Sequence, residues 1–309
     1  MSSSPHPFTR YRDLIDDWAA FDAAIRRPLP TCVWINPLRA QAEMLEAWWH
    51  RAGVQAAPLP GCPGAYRLDD PKPGTRMPYW AGAYHVQEQV SMLPPLVLQA
   101  QPHERVLDAC AAPGNKTAQL AVALGNTGLV VANDWRAMRL KGLRGTMDRL
   151  GLVNVAVTVG DAARLPDPGW SFDRVLADVP CSCEGTTRKN PALLYEPAQD
   201  GPRQIVGVQE AILRRSLRLC RPGGRVVYAT CTYAPEENEA VVEAALRAFE
   251  GHVRTVPVVL PGVEASPGLT AWRGRTFDAS LTHTRRVWPH HRDTGGFFVA
   301  VLEKEEGAP

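Results

Sequence analysis

The sequence predicts an α/β protein: a doubly wound, mostly parallel sheet preceded by a smaller α+β unit. Three observations carry this. After residue 104, short runs of branched apolar residues alternate with stretches of helical length, the pattern of right-handed βαβ units. Acids recur just beyond successive runs, at Asp134, Asp161 and Asp178. A chain of 309 residues, 45% hydrophobic and 21% charged, has the length and composition for a sizeable core in one large domain or two smaller ones.

In chain order, apolar positions at helical spacing (Leu14, Ile15, Trp18, Phe21) predict a helix over 8–25, closed by Arg26-Arg27-Pro28. A strand follows over 31–35, then a helix opened by Pro37 that runs through Trp48 and Trp49 and stops at Gly53. Residues 58–82 are crowded with Pro and Gly and read as a long connection. Residues 1–82 thus form the small unit and 83–309 the main domain. The main domain begins with a helix over 85–93 that Pro94-Pro95 ends, then strand 105–110, helix 115–124, strand 128–133, helix 136–150 and strand 154–159. A buried strand at 175–177 runs into Asp178, Pro180 and Cys181; helix 203–219, strand 224–230 and helix 235–249 come next. The last run, 296–302, has no helix behind it and reads as an edge strand.

A formal net charge of +2 does not demand a polyanionic partner, although a local basic face can still steer one. No run of about 18 apolar residues occurs, and residues 1–12 lack the apolar centre of a signal peptide, so a cytoplasmic protein without membrane contact is expected. Seven cysteines without framework spacing fit a reducing compartment. Cys181-Ser182-Cys183 is not a C-x-x-C pair and has no matching second pair, so no metal site is expected.

The loop after the first main-domain strand reads Asp108-Ala109-Cys110-Ala111-Ala112-Pro113-Gly114-Asn115-Lys116-Thr117. Its small residues let a ligand approach the backbone and a helix N-terminus. The dinucleotide fingerprint is absent, and Ala109 stands where a phosphate loop has its first glycine. An acid after the second strand, Asp134, is placed to accept from ribose hydroxyls. A nucleoside cofactor without phosphates, S-adenosylmethionine above all, suits this set better than a dinucleotide. Asp134 and Asp161 also suit the caps of the turns that follow them.

The fifth strand delivers Cys231 and the fourth delivers Cys181, and sequential strands are usually neighbours. Two thiols then converge beside Asp178. A thiolate can add to C6 of a pyrimidine and make C5 nucleophilic, while Asp178 polarises the ring at N3.

These residues resemble the Nop/Sun (RsmB/NOP-type) family of RNA cytosine-C5 methyltransferases. The resemblance rests on residues 108–117, on Asp178-Val179-Pro180-Cys181-Ser182 and on Thr230-Cys231-Thr232. It extends to Glu236-Glu237-Asn238-Glu239, to residues 87–94, to Trp288-Pro289-His290 and to Gly296-Phe297-Phe298. Arg27-Pro28-Leu29-Pro30-Thr31 is similar to the start of the family's RNA-contacting extension. The resemblance implies a class I methyltransferase-like fold, with Cys231 as the nucleophile, Cys181 as the thiol that helps expel the enzyme and Asp178 at the base. It further implies that Cys110, Ala111, Ala112, Pro113, Gly114, Asn115 and Lys116, with Asp134, Asp161 and Asp178, hold S-adenosylmethionine. The implied partner is ribosomal or transfer RNA; a monomer is expected. Three positions depart from the family pattern: Asn115 for Gly or Ser, Cys183 for Gly, and Gly296 for an acid. Cysteine at 183 is strained if that backbone needs φ > 0, and its thiol could form a disulfide with Cys181.

Among the basic residues, Arg188 and Lys189 leave the catalytic strand end and are the expected phosphate contacts. Two other functions compete. An exocyclic-amine methyltransferase would use an Asn/Asp-Pro-Pro-aromatic turn rather than Asp178-Val179-Pro180-Cys181. An RNA-binding or assembly factor with a vestigial site would have no need of three acids and two thiols together.

Overall fold

The first residues of the structure, a computed structural model that describes residues 6–195, 202–260 and 262–307, form a 3₁₀ turn (Thr9–Leu14) and helix α1 (Trp18–Ile25). The spacing predicted one helix across both. Asp17 divides them: its backbone is extended, and its side chain accepts from Ala20 N at 2.9 Å to cap α1. Strand β1 (Thr31–Ile35) follows, then helix α2 (Ala42–Arg51), which starts five residues later than Pro37 suggested because Asn36 first turns the chain, accepting from Leu38 N and Arg39 N. Strands β2 (Ala56–Pro58) and β3 (Ala65–Leu68), helix α3 (Met77–Trp80) and strand β4 (Tyr84–Val86) complete an antiparallel sheet of order β2-β3-β1-β4. The small sheet therefore extends past the 82–83 boundary. Trp49 is buried against Tyr66 and Tyr84, and Trp48 packs partly on the same cluster.

The helix expected over 85–93 is not formed. β4 occupies its first residues, a 3₁₀ turn follows at Val90–Met92, and helix α4 (Leu93–Leu98) begins at the prolines. In the first turn of a helix the missing N–H has no partner to lose, so Pro94 and Pro95 start this helix instead of ending one.

The main sheet is built from β5 (Arg105–Asp108), α5 (Asn115–Ala123), β6 (Leu129–Asp134), α6 (Leu140–Leu150), β7 (Val155–Val159), β8 (Phe172–Asp178), α7 (Pro202–Leu219), β9 (Cys220–Thr230) and α8 (Glu239–Ala248). Strands β7-β6-β5-β8-β9 are parallel in that order, so the winding reverses between β5 and β8. Successive strand residues are buried on alternate faces of the sheet. Val106, Leu176, Val227 and Ala229 face α4, α5 and α6; Leu107, Val175, Ala177, Val226 and Tyr228 face α7 and α8.

Beyond α8 come β10 (Val253–Val256), β11 (Ser266–Pro267), a hairpin of β12 (Ala271–Trp272) and β13 (Arg275–Thr276), β14 (Arg285–Val287), helix α9 (Pro289–Arg292) and β15 (Phe297–Lys304). The strand expected at the edge lies inside the sheet. β15 runs antiparallel to β9 on one side and pairs with β14 and β10 on the other. Residues Phe297 to Leu302 are all buried, which both neighbours and both helical layers require.

Candidate active site

The reversal of winding between β5 and β8 opens a crevice at their carboxyl ends, where open α/β sheets bind ligands. β5 delivers Asp108 and the loop into α5; β8 delivers Asp178 and the turn to Cys183; β9 delivers Cys231. Two adjoining cavities result. One of about 640 Å³ is lined by Cys110, Asp134, Asp161, Cys181, Cys183 and Asp178 among others. The other, about 240 Å³, is lined by Ser91, Asp108, Lys116, Lys189 and again Asp178. Cys231 and Asp178 stand on the wall common to both.

Gly114 closes the loop onto α5 with φ 108°, and a Cβ there would lie 2.9 Å from Leu143 Cγ, so the loop sits flat on α6. Gly114 offers no side-chain acceptor to the first turn of α5. Asp134 Oδ2 accepts from Ala112 N at 3.3 Å and from Arg139 Nη1 at 3.1 Å, while Oδ1 accepts from Arg136 N at 3.0 Å. Asp161 caps a 3₁₀ turn through Ala163 N at 3.0 Å. Both acids thus cap turns and line the larger cavity. Trp135, 66% exposed, and Arg139 line it too; an aromatic directly after the strand-end acid was the available signal for Trp135.

Asn115 Oδ1 lies 3.0 Å from His85 Nε2, and Arg149 Nη2 lies 2.7 Å from His85 Nδ1. The departure at 115 therefore ties the loop to β4 of the small sheet. Burial drives the His85 pKa down to about 4, so the ring is neutral and accepts from Arg149.

Lys116 turns away from the larger cavity. Its Nζ donates to Asp178 Oδ2 at 2.6 Å and to Ser91 Oγ at 3.0 Å. Burial pulls its pKa down, but the Asp178 charge and hydrogen bond outweigh this and hold it above the ordinary lysine value. Asp108, fully buried beneath, accepts from Thr117 Oγ1 at 2.7 Å, and its other oxygen has no partner. Burial raises its pKa to about 7.

Cys181 Sγ and Cys231 Sγ are 3.3 Å apart, and Cys183 Sγ is 4.0 Å from Cys181 Sγ. Cys183 has φ 58°, the left-handed backbone that glycine adopts freely. Cys183 is pushed toward the thiolate by hydrogen bonds from Cys181 and Cys231; Cys181 is raised as the donor to Cys183 and Cys231, and Cys231, although it accepts from Cys181, is raised by donation to Cys183 and by burial. The turn is held by residues the sequence reading placed only in a motif. Glu237 Oε2 accepts from Ser182 N and from Gln209 Nε2, each at 2.9 Å. Asn238 accepts from Thr230 Oγ1 and donates to Thr232 O, fixing both sides of Cys231. Gly185 N donates to Cys231 O at 2.8 Å and Gly296 N to Gly185 O at 2.9 Å. A side chain at 296 would strike the Tyr233 ring, which accounts for glycine in place of an acid.

Arg188, expected as a phosphate contact, lies buried. Its guanidinium is buried and donates to the carbonyls of Arg27, Pro28 and Thr294 and to Asp293 Oδ1, all between 2.6 and 2.9 Å. Its hydrogen bonds are spent joining the small unit to the loop before β15. Lys189 is exposed and lines the smaller cavity. Among the described residues, no helix is long and apolar enough to cross a membrane.

A family model for 16S rRNA methyltransferase RsmB/F matches residues 95–303. The chain is 37% identical over 285 residues to the human 28S rRNA (cytosine(4447)-C(5))-methyltransferase, covering 90% of this chain and 34% of that protein. It is 35% identical over 365 residues to the multisite-specific tRNA:(cytosine-C(5))-methyltransferase of Saccharomyces cerevisiae, covering 94% and 53%. To the ribosomal RNA small subunit methyltransferase F of Citrobacter koseri it is 33% identical over 317 residues, covering 97% and 63%. The chain thus spans between about a third and just under two thirds of the length of these curated relatives. A crystal structure of a methyltransferase homolog protein from Pyrococcus horikoshii superposes with a TM-score of 0.83 at 29% identity, covering 98% of this chain and 100% of that one.

Proposed function

The chain belongs to the 16S rRNA methyltransferase RsmB/F family, and we propose that it methylates C5 of a cytosine in ribosomal or transfer RNA with S-adenosylmethionine. The observation that carries this reading is the 3.3 Å approach of Cys181 and Cys231 beside the Asp178–Lys116 ion pair. A single nucleophile suffices to activate a pyrimidine, so a second thiol at contact distance has its use in release.

The larger cavity fits the cofactor. It combines apolar walls (Ala109, Val179, Ile212) with a buried acid, Asp134, at the end of the second parallel strand. Cys110 and Ala112 would line its amino-acid portion, with Ala111, Pro113 and Asn115 on the adjoining smaller cavity, Asp134 its ribose and Asp161 its base. When bound there, S-adenosylmethionine supplies an electrophilic methyl group.

Cys231, once its thiol has given up its proton, adds to C6 of the cytosine and leaves C5 electron-rich. Asp178 orients the base at N3 and its exocyclic amine, and the Lys116 ammonium offsets negative charge as it develops in the ring. Cys181 handles the proton that accompanies departure of Cys231 from C6. Lys189 at the rim meets the phosphate beside the extruded nucleotide.

Total RNA mapped by bisulfite with and without the gene, followed by methyl transfer to the identified RNA, tests the reading. Cys231→Ala is expected to transfer no methyl, and Cys181→Ala to accumulate a protein–RNA adduct on a denaturing gel. Full transfer by Cys231→Ala would overturn the assignment.

A further inference from the structure

Cys183 has no part in the reaction above, yet its thiol completes a cluster. The Sγ atoms of Cys181, Cys183 and Cys231 all lie within 4.8 Å of one another, with 3.3 Å and 4.0 Å for the two pairs that share Cys181. A tetrahedral ion bonded to sulfur at about 2.3 Å holds its sulfurs about 3.8 Å apart. The cluster is therefore close to that spacing before any ion arrives. The three thiols come from the turn after β8 and the end of β9, both pinned by Glu237, Asn238 and Gly185. The sequence spacing of Cys181 and Cys183 argues against zinc because two ligands are too few; the third arrives from the neighbouring strand.

We propose that Cys181, Cys183 and Cys231 form a site for a thiophilic divalent ion of the zinc class, which occupies the nucleophile and arrests the enzyme. The arrest rests on the function proposed above; the binding does not. Cys183 is exposed and the larger cavity opens beside it, so an ion has an entry path and water can take a fourth position. On binding, a metal–sulfur bond forms at each of the three sulfurs and the S–H bonds of those still protonated break. The protons pass to solvent, no electrons are transferred, and binding tightens as pH rises. The Lys116 ammonium, which lines the smaller cavity together with Cys231, offsets part of the negative charge of a tris-thiolate. Cys183 Sγ, which in the free protein lies 3.3 Å from Cys181 O, is the ligand this chain adds where the family pattern has glycine. With glycine there, two sulfurs remain and the site is lost.

The full chain, kept reduced with a phosphine, is titrated with Zn²⁺ against a chromophoric chelator and with Co²⁺ for thiolate-to-metal charge-transfer absorption. One ion per chain is expected. Cys183→Gly should weaken it by at least about 100-fold, since losing a ligand costs more than the 10–100-fold of losing outer-shell support. Glycine adopts the backbone at 183 without strain, so this variant should keep the parent's melting temperature. Cys220→Ala, whose thiol is buried away from the crevice, should bind as the parent does. Less than stoichiometric binding, or equal affinity in Cys183→Gly, overturns the site. Stoichiometric zinc should also stop methyl transfer and a chelator should restore it; transfer unaffected by bound zinc overturns the arrest while leaving the binding result intact.

Discussion

Lys116 Nζ donates to Asp178 Oδ2 across 2.6 Å, so the first turn of α5 and the end of β8 are joined by one charge-assisted hydrogen bond at the wall shared by both cavities. Removing that charge while keeping the length of the side chain tests its use. Lys116→Met should lower the single-turnover rate of methyl transfer by about 10²–10³-fold, the scale of losing one preorganised donor. A rate within a few-fold of the parent would place Lys116 among structural residues only.

Arg188 and Lys189 are neighbours in sequence with opposite fates, and their variants should separate. Arg188→Ala strands the carbonyls of Arg27, Pro28 and Thr294, which costs about 2–4 kcal/mol, while Asp293 keeps Arg67 at 2.9 Å. That corresponds to a fall in melting temperature of about 3–6 °C for a chain of this length. Lys189→Glu should leave the melting temperature unchanged, weaken RNA binding, and make its logarithmic salt dependence shallower by about one unit. A salt titration with an unchanged slope would remove Lys189 from the interface.

Asp108 gives stability an unusual pH slope. Its folded pKa of about 7 lies above the unfolded value near 3.9, so the folded state holds a proton that the unfolded chain has released. Its contribution is complete below about pH 4 and is lost as pH rises through 7. Asp108→Asn should therefore gain stability over the parent by a few degrees between pH 5 and 8 in thermal melts; a constant difference would show that Asp108 does not titrate in this window.

His85 acts in the opposite direction. Its folded pKa of about 4 lies below the unfolded value near 6.5, so its contribution is complete above pH 6.5 and is lost as pH falls toward 4. Compared with His85→Gln, the parent should lose on the order of 3 kcal/mol across that range. Parallel stability curves for the two proteins would contradict the neutral, buried ring.

What was legible in the sequence followed local rules. The alternation of strand and helix gave the parallel core, and the strand ends placed Cys181, Cys231 and Asp178 correctly because sequential strands became neighbours. The mispositioned parts depend on distant partners. Pro94-Pro95 can end one helix or start another, and only the pairing of β4 with β1 decides between them. Nothing local marks β15 as interior, because β10 and β14 that flank it are four and three residues long and carry arginines in the ladder. A buried arginine such as Arg188 looks in sequence like any other basic residue in a loop. The strain at Cys183 was foreseeable as a condition on φ, but the approach of its sulfur to Cys231 was not.

The insertion of β15 between β9 and β14 has a consequence for synthesis. A ribosome finishes β9, with Cys231 at its tip, well before it reaches Phe297, and until then β9 presents an open hydrogen-bonding edge of apolar residues. The Gly185–Gly296 bond that braces the catalytic turn is equally unavailable to the nascent chain. A message cut short before codon 296 would thus yield a protein with every thiol and acid of the site in its sequence, a catalytic turn without its Gly296 brace, and a strand edge ready to recruit another chain.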